Sequence, residues 1–177
     1  MAPMNRIRVG VVLAAVAAMA SVAVPAHAAD TDATFDIASG GLAISAPASA
    51  NLGSVGSGAT SLAGQLGQVQ VDDTRGLLTA TWTATVGSTA FSTGTATAPE
   101  SVTKANIAYN SGTGTARAGD VGNFTPGMAP DLATDATAGS WAGTGNNQVD
   151  WNPTLTLTLR PDQVAGTYTG TVTHSVN

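Results

Sequence analysis

NPTLTLTLRPDQVAGTYTGTVTHSV, residues Asn152 to Val176, decides the fold. Leu155, Leu157 and Leu159 alternate with Thr154, Thr156 and Thr158. A two-residue period puts every leucine on one face of a strand and every threonine on the other. After a break at Arg160-Pro161-Asp162, the alternation resumes. Tyr168, Gly170, Val172, His174 and Val176 then face one way, and Thr169, Thr171, Thr173 and Ser175 the other. The pattern predicts two half-buried strands that form an antiparallel pair across a Pro-containing connection. Threonine is stiff at χ1 and suits a pleated surface, so the solvent face is itself strand-forming.

The same pattern recurs upstream. In Thr79–Val86, TATWTATV, the residues Ala80, Trp82, Ala84 and Val86 share a face against threonines. A tryptophan between alanines reads as a large plug in a layer of small neighbours. Gly41–Pro47 reads as a first short strand stopped by proline. Val69 with Val71, Ile107 with Tyr109, and Val149 with Trp151 mark further strands at period two. Gly56–Gly64 has loop composition, and Asp120–Gly145, rich in Gly and Pro, reads as the least structured stretch. No longer internal period is present, which argues against a solenoid. The expectation is one all-β domain over residues 41–177, an antiparallel β-sandwich of Ig-like or jelly-roll-like type.

Ahead of that domain, Arg6 and Arg8 precede an apolar run, Val9–Val24, and then Ala26-His27-Ala28. This is the layout of a signal peptide over residues 1–28, cleaved after Ala28. The run is shorter than a membrane span, so no span is expected in the mature chain. Residues 29–40 read as a flexible N-terminal segment. Without the leader, four basic residues face eleven acidic ones, a balance of −7. No basic stripe is present to neutralise phosphates, which excludes nucleic acid as a partner. There is no cysteine, so an exported chain of this size must hold together by packing alone.

The catalytic inventory is short. Thiol chemistry has no nucleophile, and His174 is the one histidine beyond the leader, too few for a zinc site built on imidazoles. No serine sits in a Gly-x-Ser-x-Gly elbow, and no Gly-rich loop carries the Gly-Lys-Ser/Thr of a phosphate cradle. Asp72 and Asp73 are adjacent on a strand, so their carboxylates point to opposite faces; the pair reads as turn chemistry, with an aspartate accepting from Arg75 or backbone amides. The expectation is a non-enzymatic protein with no catalytic residue, metal or cofactor. Trp141, beside Gly143-Thr144-Gly145-Asn146-Asn147, is the best candidate for an exposed ring. Stacking a sugar on Trp141, with the Asn146 and Asn147 amides reaching hydroxyls, would make a glycan site. The alternative is that Trp141 caps one end of the core.

Three patches resemble the WxL-domain surface proteins of Gram-positive bacteria: Val71-Asp72-Asp73-Thr74-Arg75-Gly76, Trp82-Thr83-Ala84, and Ala165-Gly166-Thr167-Tyr168. Pro161 stands where that family often has proline before the Gly-Thr-Tyr. The first Trp-x-Leu triplet is Trp82-Thr83-Ala84 here, and the second is His174-Ser175-Val176. The resemblance implies an extracellular protein, secreted or wall-associated, held noncovalently by peptidoglycan or another wall glycan. It adds Trp82 to the candidate ligand-binding residues. The alternative function is a structural subunit of the cell surface that pairs, through strand edges, with itself or with another surface protein.

Overall fold

A computed structural model describes residues 31–177. The leader therefore lies outside the described residues. The chain divides into two units, Met1–Asp36 and Ile37–Asn177. Residues 31–36 are exposed and carry no regular secondary structure. The β-domain is the second unit.

Its strands, in chain order, are β1 (Leu42–Ser45), β2 (Ser61–Gln65), β3 (Val69–Asp73), β4 (Ala80–Ser88), β5 (Phe91–Ser92), β6 (Ser101–Val102) and β7 (Ile107–Asn110), followed by β8 (Thr115–Ala116), β9 (Val121–Pro126), β10 (Met128–Ala129), β11 (Ala136–Thr144), β12 (Asn147–Trp151), β13 (Thr154–Thr158) and β14 (Val172–Val176). Single 3-10 turns at Ala98–Glu100 and Lys104–Asn106 are the only helical elements among the described residues. The all-β expectation holds, and every strand pairing is antiparallel.

Three four-stranded sheets carry the domain, in the orders β1-β3-β12-β8, β10-β7-β13-β2 and β14-β4-β11-β9. The first two are one ribbon bent at a corner. β2 runs into β3 through Leu66-Gly67-Gln68, and its partner β12 runs into β13 through Asn152-Pro153. The corner is bonded to itself: Leu66 N donates to Pro153 O at 2.9 Å, and Gly67 N to Asn152 Oδ1 at 3.1 Å. Gly67 sits at φ +89°, a conformation that favours glycine. Proline fits there because its missing N–H costs no ladder bond at the bend.

The third sheet packs across this ribbon as the second layer of a β-sandwich. Trp82, Ala84, Val86, Trp141 and the half-buried Phe124 point inward, against Val69, Val71, Val149 and Trp151. Their threonine neighbours on β4 face outward or are half-buried, as the alternation predicts. Trp151 stacks on Trp82, with ring centroids 6.4 Å apart, and on Phe124 at 5.4 Å.

Two expectations are corrected here. Asn152–Val176 does form two strands, but they do not pair with each other. β13 lies between β7 and β2, whereas β14 joins β4 in the opposite layer. Alternation fixes which face of a strand is buried, not which strand lies beside it. Here Leu157 stands opposite both Leu62 and Ile107, and the long connection 159–171 carries the chain across to the other layer.

The second correction concerns Asp120–Gly145, which holds β9, β10 and β11 rather than loop, as Gly56–Gly64 holds the start of β2. The glycines misled because they make room for rings instead of turning the chain. A Cβ on Gly139 would stand 2.4 Å from Phe124 Cζ, one on Gly122 2.5 Å from Trp141 Cζ2, and one on Gly143 2.7 Å from Trp141 Nε1. Gly127, between β9 and β10, instead lets two backbones approach, since a Cβ there would meet Thr137 O at 2.1 Å.

Candidate functional site

Trp82, Trp141 and Asn147 come together in the structure, but inside the core. Trp82 and Trp141 are direct cross-strand partners on β4 and β11 and are each 2% exposed. Cross-strand partners share a face, so a ring opposite the inward Trp82 must also point inward. Asn147 is fully buried and its Oδ1 accepts the Trp82 indole N–H at 2.8 Å. Only Asn146, in the turn between β11 and β12, is exposed. The expected exposed Trp141 ring is therefore corrected: Trp141 lies within β11, between β4 and β9, with its ring in the core, and no sugar can stack on it.

The Asp-Asp-Thr-Arg-Gly run completes this buried assembly. Asp73 faces inward from β3, opposite Asn147 on β12. Its Oδ1 accepts the Arg75 backbone N–H at 3.1 Å and Nε at 2.9 Å, and its Oδ2 accepts Nη2 at 2.9 Å. Arg75 also donates to Thr81 O on β4 at 2.8 Å, tying the two layers. The fork of hydrogen bonds from Arg75 holds the Asp73 carboxyl below the usual carboxylate range, against the opposing effect of burial. Asp72 points to the other face and is half-buried. The turn reading of this run holds: one aspartate braces the fold, and the two carboxylates do not converge.

Glu100 is likewise committed. The hydroxyl and backbone N–H of Thr97, and both groups of Thr95, donate to its Oε2 and hold its carboxyl below the ordinary range. Among the described residues, no three of His, Cys, Asp and Glu come close enough to hold a metal ion.

His174 on β14 faces inward, as its parity predicts, and meets a chain of polar rings. Trp151 Nε1 donates to Tyr109 Oη at 3.0 Å, and Tyr109 Oη lies 3.2 Å from His174 Nε2. Tyr109 Oη accepts from Trp151, so its own hydrogen is free to go to His174 Nε2 when that nitrogen carries no proton. Burial pushes Tyr109 up to about 12 and His174 down to about 4. The sign follows from linkage. The unfolded chain takes up the histidine proton near 6.5 and the folded chain only near 4, so stability present above pH 6.5 is lost as pH falls toward 4. The expected loss is about 2–3 kcal/mol. Thermal melts from pH 7 to 4 should show it in the wild type, and His174→Gln, which stays neutral, should flatten that part of the profile.

A large opening lies beyond the far end of β4. It is a cleft of about 620 Å³ between the Ala50–Ala59 segment, which joins β1 to β2, and the Gln163–Thr169 part of the connection before β14. Phe91, Val102 and Leu157 form its buried floor, and Leu52, Leu62, Leu159 and Tyr168 its sides. Tyr168 is fixed by its hydroxyl, which lies 3.0 Å from Pro99 O and 2.9 Å from Val164 O. No lining residue carries a charge. A second cavity of about 170 Å³ adjoins it, shares Ala50, Leu52 and Phe91, and reaches His174. Sequence reading missed the cleft because two loops of small residues form its walls, and no periodicity marks such a site. Its one sequence signal is Ala165-Gly166-Thr167-Tyr168, all four of which line it.

No protein-family model matches this chain, and no curated protein or solved structure does.

Proposed function

We propose that this chain is an exported, non-catalytic surface protein that associates noncovalently with peptidoglycan or another wall glycan, and that the cleft beside Phe91 and Tyr168 holds the ligand. The observation that carries the reading is the placement of the three patches that resemble the WxL-domain proteins. Two of them, Val71–Gly76 and Trp82–Ala84, are spent on bracing the core. The third, Ala165–Tyr168, lines an open and uncharged cleft of the size that small ligands occupy. The leader-like residues 1–28 support export. An uncharged lining suits a polymer recognised by hydroxyl and amide groups, and the acidic chain would be repelled by anionic wall polymers.

Val55 and Val164 stand one on each wall of the cleft, 45% and 43% exposed, so a charge at either leaves the core alone. Purified cell walls are expected to carry the wild-type protein into the pellet. Val55→Asp with Val164→Asp should weaken the binding constant about tenfold, which corresponds to roughly 1.4 kcal/mol. Wild-type protein left wholly in the supernatant would end this reading.

A further inference from the structure

β9 closes one side of the sheet β14-β4-β11-β9 and pairs with β11 alone. Its other side presents backbone N–H and C=O groups with no strand partner, a template for another chain. At six residues it is the longest strand at any sheet edge among the described residues; β2 and β14 have five, β1 four, and β8 and β10 two.

Soluble proteins guard such edges with lysines, inward charges, bulges or proline. β9 has no charge and no bulge, and its one proline, Pro126, stands at its last position. Its sequence, Val-Gly-Asn-Phe-Thr-Pro, is uncharged, and its register with β11 is unbroken; the irregularity in this sheet lies on the β4 side, at Thr137/Gly139. The neighbouring Asp120 is withdrawn from the edge. Its side chain is 4% exposed, pairs with Arg117 and accepts the Gln148 N–H at 2.8 Å. Val121, at the start of the edge, is 66% exposed. Outward from β9, Val121, Asn123 and Thr125 stand opposite Thr144, Ala142 and Ser140 of β11, so no charge meets a chain arriving there.

We propose that β9 pairs antiparallel with β9 of a second copy, joining two four-stranded sheets into one continuous sheet. The partner is a second copy because an antiparallel edge is complementary to itself about a two-fold axis, with the same patch on both subunits. The absence of charge matters equally. Copies of an acidic chain repel one another, and this uncharged edge is a place where they can approach without that cost.

The chain has no cysteine, so introduced ones report contacts without background. The full chain, expressed with its leader and recovered as the host processes it, carries Val121→Cys, Asn123→Cys or Thr125→Cys. The variants are oxidised singly and in pairwise mixtures. Residues opposite each other across an antiparallel pair are close enough for a disulfide, so at least one combination should give covalent dimers. Thr83→Cys, in the middle of the same outward face, should give none. In sedimentation velocity the wild type should dimerise with concentration. Asn123→Lys with Thr125→Lys should weaken that association at least about tenfold, with an unchanged circular dichroism spectrum and unchanged wall binding. A wild type that stays monomeric at every concentration, dimers indifferent to the two lysines, or cross-linking at Thr83 equal to that at β9 would overturn the proposal. Wall co-sedimentation is read separately, so this interface and the cleft stand or fall independently.

Discussion

Trp141→Ala is expected to lower the stability of the domain by about 3–5 kcal/mol, the range for removing a large aromatic side chain from a packed core. The ring is 2% exposed and lies where a Cβ on Gly122 or Gly143 would stand, so its loss leaves a space that those glycines cannot fill. Trp82→Ala should cost at least as much. It removes a ring that touches both Trp151 and Phe124 and also leaves the buried Asn147 carbonyl without its indole donor. Chemical denaturation of both variants measures the effect. A Trp141→Ala protein as stable as the wild type would restore the exposed-ring reading and contradict the packing described above.

Arg75→Ala is expected to cost a similar amount, about 3–5 kcal/mol at neutral pH, because it leaves a buried carboxylate without its cation. The Asp73 side chain is 0% exposed and that of Arg75 26%, so the carboxylate, not the guanidinium, suffers from separation. The pH dependence supplies a second check. In the wild type the Asp73 carboxyl titrates below its ordinary value, so its contribution is present above the unfolded pKa and is lost as pH falls through the folded one. The gap between wild type and Arg75→Ala should therefore narrow in acid, where Asp73 is protonated and no longer needs the arginine. Arg75→Lys keeps the charge but not the two-pronged geometry, and should fall between them. A gap that widens as pH falls would contradict this assignment.

Much of the fold was legible because period-two alternation is a local property. Val69 and Val71, Trp82, Ala84 and Val86, Ile107 and Tyr109, Val149 and Trp151, and Leu155 and Leu157 all read as inward strand positions, and all are buried. Pairing was not legible, because nothing in Leu155-Thr156-Leu157 says whether its neighbour is β14 or β2. Glycine was the second source of error. Gly122, Gly139 and Gly143 have the composition of a loop, whereas in the fold they make space for Phe124 and Trp141 within paired strands.

The candidate site suffered from the same two causes. Trp141 looked exposed because its glycine neighbours suggested a loop, and the ring opposite it on β4 could not be known without the register. Asn147 looked available because its bond to Trp82 spans two layers. The cleft was invisible for a different reason. Its floor is built from Phe91, Val102 and Leu157, which are far apart in sequence, and its walls are loops whose small residues carry no pattern.

The central claim is that the tryptophans brace the interior and leave ligand binding to other residues. It is tested most directly by hydrogen exchange at the indole N–H groups. The chain has three tryptophans, so a proton–nitrogen spectrum of the labelled protein resolves each one. The account predicts slow exchange at Trp82, Trp141 and Trp151 alike, and none of the three moving when soluble wall fragments are added. Rapid exchange at Trp141, or a Trp141 signal that shifts with the fragments, would contradict it.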